Sequence, residues 1–267
     1  MPNAPTVMSS LDTETIPDFD LISKITDIDK EDHVAIVKWL EEGKEYNQTF
    51  KPIYNQIVEC SIAFYADGKF GIDSLANPEL STDESEEEIL ELFTDIVNGS
   101  DPNHRVFTWN GEGFDFPVMR MRAMKYGTSL QNYWNTEDTR KWNGYFNRYQ
   151  TLHTDLMDIL AGYYVGRNAS LNDTAIMCGL PGKIGAGGDK VLSMYLKGDL
   201  ESIRQYCEID ALLTFLLGLR FLKTQGIPKR HYLERLEAVL DYLDDSDNQE
   251  SNEYFSIFLN HWDQTTW

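Results

Sequence analysis

The chain has 267 residues, of which 42% are hydrophobic, and a formal net charge of -21 at pH 7. This length can bury the core of one α/β domain with additions, whereas two full domains would be cramped. The acidic balance argues against a polyanion partner over most of the surface. The charge is uneven, however, because residues 1–104 carry 6 basic and 23 acidic side chains, whereas residues 105–204 carry 12 and 10. Only this middle part could offer a phosphate chain a locally positive track.

The cysteines and the N-terminal residues bear on the compartment. Cys60, Cys178 and Cys207 lie far apart and form no CxxC pair, so reduced thiols in a cytoplasmic protein are expected. The first residues lack a basic stretch followed by an apolar core. No run approaches the roughly 20 apolar residues of a membrane span. We therefore expect a soluble protein with no membrane partner.

The first hundred residues predict three strands and a helix around an acidic insertion. Residues 6–11 favour a strand that runs into Asp12 and Glu14, and the insertion follows at 18–56, with a helix predicted over 32–42. β-branched and aromatic residues at 57–65 predict a second strand, and Asp67-Gly68 predicts a hairpin turn into a third strand at 69–75. An acid-rich start followed by apolar residues at helical spacing predicts a helix over 81–99.

Asp115 occupies a junction between a strand and a helix. A buried strand is predicted over 105–109 and a helix over 114–126, with turn chemistry in Asn110-Gly111-Glu112-Gly113 between them. Such a junction is the ligand-facing edge of an open α/β sheet. Taken alone, Asp115 fits equally well a residue that caps the helix.

The remaining residues alternate loops and helices. Residues 127–150 interleave aromatic rings with cations, which suits either a platform for single strands or a surface loop packed on the core; these residues include Trp134, Arg140, Lys141, Trp142, Tyr145 and Arg148. A strand end enters a helix at 152–158, and helices are predicted over 170–178 and 199–223. The glycine-rich connection 179–188 fits no nucleotide-binding motif. The residues from 228 onward are predicted to form a helix, an acidic break at 244–253 and an aromatic end. This tail is expected to dock either on the domain or on a protein partner.

Four acids share a chemical pattern. Asp12 and Glu14, one residue apart on a strand, point to the same face. Asp210 shares an otherwise apolar helix face with Tyr206, four residues earlier, and this is a poor environment for an unpaired carboxylate. If these acids cluster with Asp115, they repel one another unless cations neutralise them. Mg²⁺ and Mn²⁺ prefer such oxygen ligands, and two ions about 3.5 to 4 Å apart can activate a water and stabilise the leaving oxygen of a phosphodiester. The pattern predicts phosphoryl chemistry.

These residues also carry a family resemblance. Asp12-Thr13-Glu14, Asn110-Gly111-Glu112-Gly113-Phe114-Asp115-Phe116-Pro117 and Tyr206-Cys207-Glu208-Ile209-Asp210 resemble, in order, the three motifs of DnaQ-like, DEDDy-type 3′-5′ exonucleases. Stand-alone relatives of the proofreading domain of family B DNA polymerases look most similar. The resemblance covers roughly residues 6–225. His153-Thr154-Asp155-Leu156 and Leu180-Pro181-Gly182-Lys183 also look like this group.

The resemblance implies an RNase H-like α/β fold, a mixed β-sheet flanked by α-helices, in a domain at 1–227 followed by the extension 228–267. It implies two Mg²⁺ or Mn²⁺ ions bound by Asp12, Glu14, Asp115 and Asp210, with Tyr206 orienting the attacking water. The terminal nucleotide would be held around Thr13, Thr15, Asn110 and Phe114, and Lys183 would meet a phosphate. Asp155 and Asp158 are expected to support the site or to cap a helix.

The activity that the resemblance implies is release of nucleoside 5′-monophosphates from the 3′ end of single-stranded nucleic acid, with DNA favoured over RNA and a role in DNA repair. The long acidic insertion at 18–56 and the small basic surplus depart from the family pattern, and both bear on substrate choice. Two alternatives stay open on the same fold. One is a catalytically silent module that binds nucleic acid or acts as a scaffold, and the other is an RNA-directed nuclease.

Overall fold

Five strands form a single mixed sheet in a computed structural model that describes residues 5–43, 50–98, 104–134, 145, 152–184 and 187–267. The strand order is β3-β2-β1-β4-β5. β1 pairs antiparallel with β2 and parallel with β4, β2 pairs antiparallel with β3, and β4 pairs parallel with β5. The strands are β1 (Met8–Pro17), β2 (Asn55–Ala66), β3 (Lys69–Ser74), β4 (Arg105–Thr108) and β5 (His153–Asp155).

Helices cover both faces of this sheet. Among the described residues they are α1 (Phe19–Thr26), α2 (His33–Glu42), α3 (Thr82–Asn98), α4 (Asp115–Tyr126), α5 (Gln131–Trp134), α6 (Leu156–Leu160), α7 (Leu171–Met177), α8 (Val191–Tyr195), α9 (Leu200–Thr224), α10 (Lys229–Asp244), α11 (Ser246–Ser251) and α12 (Tyr254–His261). None of these described helices has both the length and the apolar character needed to cross a bilayer.

The two faces of the sheet support two separate cores, because successive side chains of a strand point in opposite directions. Met8 packs with α9 and the extension on one face, whereas Leu11 packs with α3 and α4 on the other. α9 is buried along most of its length, which explains why its apolar residues are not confined to one stripe. The predicted mixed sheet flanked by helices is confirmed.

The acidic insertion at 18–56 contains two described helices, whereas the sequence predicted one. The helix predicted over 32–42 is present as α2, with Asp32 as its N-cap. The unpredicted α1 begins after Asp18, which accepts a hydrogen bond from the Leu21 N–H. This helix has eight residues, about two turns, and its apolar Phe19, Ile22 and Ile25 lie at helical spacing, so the signal is present but spans only two turns.

A buried ion network fixes the start of the insertion to the rest of the domain. Arg122 on α4 donates from Nη1 to Asp18 at 2.5 Å and from Nε and Nη2 to Glu86 on α3 at 2.6 and 2.5 Å. All three side chains are at least 95% buried. A fully paired guanidinium therefore joins α3, α4 and the residue before α1.

The extension 228–267 packs on the domain. Its Phe255 and Phe258 are fully buried in the same core as α9. The acidic segment 244–253, predicted as a break, contains α11, because Asp245 caps that helix by accepting from the N–H groups of Asp247 and Asn248. The boundary predicted at 227/228 falls between α9 and α10. A protein partner on this extension stays a prediction.

The aromatic and basic segment 127–150 lies largely outside the described residues. Arg140, Lys141, Trp142 and Arg148 are among those not described, so the single-strand platform stays a prediction. Trp134 ends α5 with 47% of its surface exposed, whereas Tyr145 is buried. The burial of Tyr145 agrees with the alternative in which the aromatic rings of this segment pack on the core.

Candidate active site

Three of the four predicted metal ligands form a group that we call the acid cluster: Asp12 and Glu14 on β1 and Asp210 on α9. One carboxylate oxygen from each lies within 4.8 Å of the others. Alternation along β1 places the first two on the face toward α9. The helix is fixed to the strand by the Ser10 hydroxyl, which donates to the Ala211 carbonyl at 2.6 Å.

Asp115 lies beside the acid cluster but is not part of that group. Its Oδ1 accepts a hydrogen bond of 2.6 Å from the hydroxyl of Thr13, the residue between Asp12 and Glu14. The Thr13 side chain points to the opposite face of β1, so Asp115 approaches the strand from the α4 side. Of the four acids predicted to bind metal, three therefore converge, and the fourth, Asp115, is connected to their strand through the Thr13 hydroxyl.

The turn before Asp115 requires its glycine. A Cβ on Gly111 would come within 2.2 Å of the Thr108 hydroxyl oxygen, so a larger residue would displace β4 or the turn. Asn110 adopts a left-handed backbone with φ of 66°. This tight conformation lets the chain leave β4 and enter α4 within a few residues, and thereby places Asp115 in the first helical turn.

Asp155, at the end of β5, holds this turn from the adjacent strand. Its Oδ1 accepts from the Asn110 N–H at 3.1 Å and its Oδ2 from the Glu112 N–H at 3.0 Å. Oδ1 also accepts from the Asp158 N–H at 3.2 Å, which caps α6. Asp155 therefore has both expected roles, support of the site and helix capping.

A second link on the same turn runs through a histidine. His153 Nδ1 lies 3.1 Å from Glu112 Oε1, and its Nε2 lies 2.8 Å from the Thr108 hydroxyl. The ring is buried and contacts Phe116, with the ring centroids 4.3 Å apart. The motif His153-Thr154-Asp155 thus anchors the turn that precedes Asp115.

Burial and mutual repulsion raise the pKa values of the acid cluster. Desolvation is the largest cause for Asp12, Glu14 and Asp210 alike, and the negative charge of Asp210 adds to it for both acids on β1. Desolvation also raises the pKa of Asp115 to about 6, although the Thr13 hydrogen bond opposes that shift. The cluster therefore resists full ionisation until positive charge neutralises it.

Lys183 supplies one such positive charge. Its ammonium donates to Asp210 Oδ2 and, at 2.8 Å, to the hydroxyl of Tyr206. Burial lowers the pKa of Lys183, but the charge and the hydrogen bond of Asp210 outweigh that effect and raise it. The residue predicted to meet a phosphate thus lies against the carboxylates, within reach of a ligand bound there.

The donor set fits a divalent cation. Asp210 Oδ1 is buried and, within the described residues, accepts no hydrogen bond, which is costly for a carboxylate unless a ligand is bound. The acids offer oxygen donors only, as hard cations prefer. The residues present are therefore suited to Mg²⁺ or Mn²⁺.

Three further residues predicted to bind the terminal nucleotide are Thr15, Asn110 and Phe114. The Thr15 hydroxyl donates to Asn55 Oδ1 at 3.2 Å, just beyond an irregularity in the β1–β2 pairing between Glu14 and Thr15. Phe114 is the residue before α4 and is half-buried. Thr15 therefore lies on the strand that carries Asp12 and Glu14, whereas Phe114 and the left-handed Asn110 lie in the turn that leads to Asp115. Their contact with a nucleotide stays a prediction.

Two buried groups beside the cluster were not predicted as part of the site. Glu59 lies directly opposite Glu14 in the β1–β2 ladder, and desolvation raises its pKa to about 7. The Cys207 thiol lies 3.6 Å from Asp12 Oδ2. Cys207 could have been found from its spacing of three before Asp210 on a helix, whereas the position of Glu59 depends on strand register.

Comparison with known proteins identifies the family. Residues 47–262 match the family described as "predicted 3′-5′ exonuclease related to the exonuclease domain of PolB". The chain belongs to this exonuclease family. The predicted enzyme class, an exonuclease of the family B proofreading type, is thereby confirmed, and exonuclease domains of this kind use divalent metals. No match is found among curated proteins.

The fold has a solved counterpart. The structure of the family B DNA polymerase from the hyperthermophilic archaeon Pyrobaculum calidifontis is similar, with a TM-score of 0.51 and 15% sequence identity. The similarity covers 92% of this chain and 27% of the polymerase chain. At this identity it supports the RNase H-like fold of the exonuclease and carries no information on substrate.

Proposed function

We propose that this exonuclease hydrolyses phosphodiester bonds from the 3′ end of single-stranded nucleic acid, with DNA favoured over RNA, and releases nucleoside 5′-monophosphates. The acid cluster carries the proposal, because its buried Asp210 Oδ1 accepts no hydrogen bond within the described residues. A cytoplasmic role in DNA repair belongs to the proposal, and the three free thiols support only its cytoplasmic part.

Asp12, Glu14 and Asp210 would hold the first divalent cation, and Asp115 would complete a second position. When bound, such ions supply an activated water and neutralise charge on the leaving 3′ oxygen. Thr13 holds the Asp115 carboxylate through its hydroxyl and would thereby orient it for that second position.

Tyr206 would orient water as a neutral phenol. Desolvation raises its pKa far above the ordinary value, and the charges of Asp210 and Glu14 raise it further. A phenol that stays protonated cannot serve as a general base at neutral pH, but its hydroxyl can hold a water by hydrogen bonding. We assign it that positioning role.

Lys183 would act as the cation of the metal-free site and, once divalent ions are bound, as a contact for a substrate phosphate. An ammonium and a divalent ion sharing Asp210 repel each other strongly in a buried environment. Lys183 is 33% exposed at the side chain, so it can turn toward solvent or toward a phosphate. Thr15, Asn110 and Phe114 would hold the terminal nucleotide.

The direct test is a time course on single-stranded DNA and RNA oligonucleotides labelled at either end, with Mg²⁺ or Mn²⁺. The variants Asp115→Asn and Asp210→Asn keep the side-chain volume and should abolish metal-dependent nucleotide release. Glu237→Gln, an exposed acid on α10, is the matched control and should cut as the parent does. Equal cutting by the parent and both variants would exclude the assignment.

One observation favours a second candidate, a silent nucleic-acid-binding module. The Lys183 ammonium already partly neutralises the acids, so the fold does not strictly need a metal. A silent module should gain little thermal stability from Mn²⁺, whereas a working site should show a midpoint that rises with metal concentration. The same titration therefore separates the two functions before any nuclease assay.

A further inference from the structure

Residues 263–267, which we call the clasp, hold the start of the connection that carries Lys183. The Trp267 indole N–H donates to the Cys178 carbonyl at 2.8 Å, and the Asp263 N–H donates to the Gly179 carbonyl at 3.1 Å. Gly179 has φ of 81°, and a Cβ there would lie 2.6 Å from the Thr266 hydroxyl oxygen. The clasp and the connection are thus in direct contact at the two residues that leave α7.

Trp267 is in turn held by α9. The guanidinium carbon of Arg220 lies 4.0 Å from the Trp267 ring centroid. Arg220 Nε and Nη2 are buried and, within the described residues, make no hydrogen bond. The ring face of Trp267 is therefore a principal stabilising contact of this cation.

Helix α9 also contacts the connection directly, at Lys183. Asp210 lies ten residues before Arg220 on α9 and binds the ammonium of Lys183. Only a few residues separate the clasp contact at Gly179 from Lys183. This stretch is fixed by buried Leu180 and by the Lys183 N–H, which donates to Asn172 Oδ1 at 3.0 Å. The described first part of the connection, residues 179–184, is thus attached to α9 at two points, directly by Lys183 and, through the clasp, by Arg220.

We propose that Trp267 and the rest of the clasp are positioning residues for Lys183, and that they favour the state in which its ammonium lies on Asp210. The inference rests on the proposed function in one respect, namely that a divalent cation competes with Lys183 for this carboxylate. Weakening the clasp should free Lys183 and thereby make metal binding tighter. General loosening of the fold would have the opposite effect on metal affinity.

The test measures Mn²⁺ binding by calorimetry, in the absence of nucleic acid, on Trp267→Ala, Lys183→Gln and the double variant. Loss of the indole hydrogen bond and the cation–ring contact should tighten the apparent Mn²⁺ Kd about three- to tenfold in the parent background. In the Lys183→Gln background the same change should alter the Kd by less than about twofold, since the group it positions is gone. Trp267→Phe, which keeps a ring over Arg220, should give an intermediate shift.

Amide hydrogen exchange gives a second readout that does not depend on metal. Trp267→Ala should speed exchange of peptides covering 178–184 by about tenfold, whereas peptides from β1 and the Asp210 region of α9 should keep the parent rate. Ile257→Ala, which trims a half-exposed side chain on α12, is the control in both assays.

The outcomes separate the clasp from the proposed function. The proposed role of the clasp would be overturned if Trp267→Ala left hydrogen exchange at 178–184 unchanged. It would also be overturned if Trp267→Ala changed the Mn²⁺ affinity equally in the parent and Lys183→Gln backgrounds. A parent protein that binds no Mn²⁺ would overturn the proposed function, while exchange would still report whether the clasp holds the connection.

Discussion

Replacing Lys183 with glutamine tests the electrostatics of the acid cluster most sharply. Removing one partner of a buried ion pair costs about 3 to 5 kcal/mol, because the other charge stays buried alone. Lys183 is partly exposed, and solvent screening reduces the expected loss in the metal-free protein to roughly 1 to 3 kcal/mol. The metal-loaded protein should lose much less, because its lysine has already left Asp210.

The difference between these two losses must appear as tighter metal binding. A gain of roughly 1 to 3 kcal/mol corresponds to an Mn²⁺ Kd about fivefold to a hundredfold lower in Lys183→Gln than in the parent. Calorimetric titration gives the Kd, and thermal unfolding with and without Mn²⁺ gives the two stabilities. Lys197→Gln, at an exposed lysine after α8, is the control for loss of one positive charge.

Two results would refute this reasoning. If Lys183→Gln binds Mn²⁺ more weakly than the parent, the lysine assists metal binding and does not compete with it. If the metal-free variant unfolds at the parent temperature, the contact with Asp210 contributes no stability, and the acid cluster must be neutralised by protons alone.

Three further changes test the surroundings of the site. Arg122→Met removes the bonded cation of two buried carboxylates and leaves them the more distant Lys125 ammonium, 3.8 Å from Asp18 and 3.9 Å from Glu86. The stability should fall by about 3 to 5 kcal/mol, which for this size is a drop of roughly 6 to 20 °C in thermal unfolding, and an unchanged midpoint would contradict the network. Glu59 has a pKa of about 7, above its ordinary value, so its stabilising protonated form is lost as pH rises through 7, and Glu59→Gln should raise the unfolding temperature at pH 8 but not at pH 5. An equal gain at both pH values would show that its charge is not the cause. Thr13→Val removes the hydrogen bond that restrains the pKa of Asp115, so the pH profile of nucleotide release should move to higher pH; an unmoved profile would show that Asp115 does not limit it.

The parts of the site that depend on local spacing could be predicted from the sequence. One intervening residue in Asp12-Thr13-Glu14 is enough to direct two carboxylates to the same face of a strand, and four residues on a helix bring Tyr206 and Asp210 together. The turn before Asp115 follows from its glycines. These features need no knowledge of tertiary structure.

Contacts between distant segments could not be predicted in the same way. The ammonium of Lys183 reaches Asp210 across 27 positions, and Arg122 reaches Asp18 across 104. A lysine in a glycine-rich connection has no periodic pattern to indicate which acid it meets. The exclusion of Asp115 from the acid cluster likewise depends on the distance between α4 and β1, which spacing along the chain does not encode.

Arg122 limits how this scaffold can change. Because one guanidinium serves carboxylates from two segments, neither partner is individually dispensable: excising the insertion together with Asp18 would leave Nη1 of Arg122 without its carboxylate acceptor in a dry environment, although Glu86 would still balance the charge. A shortened descendant would have to alter the arginine and its remaining acid together. The insertion is thus expected to persist in the lineage even if it never touches a nucleic acid, retained by electrostatic interdependence.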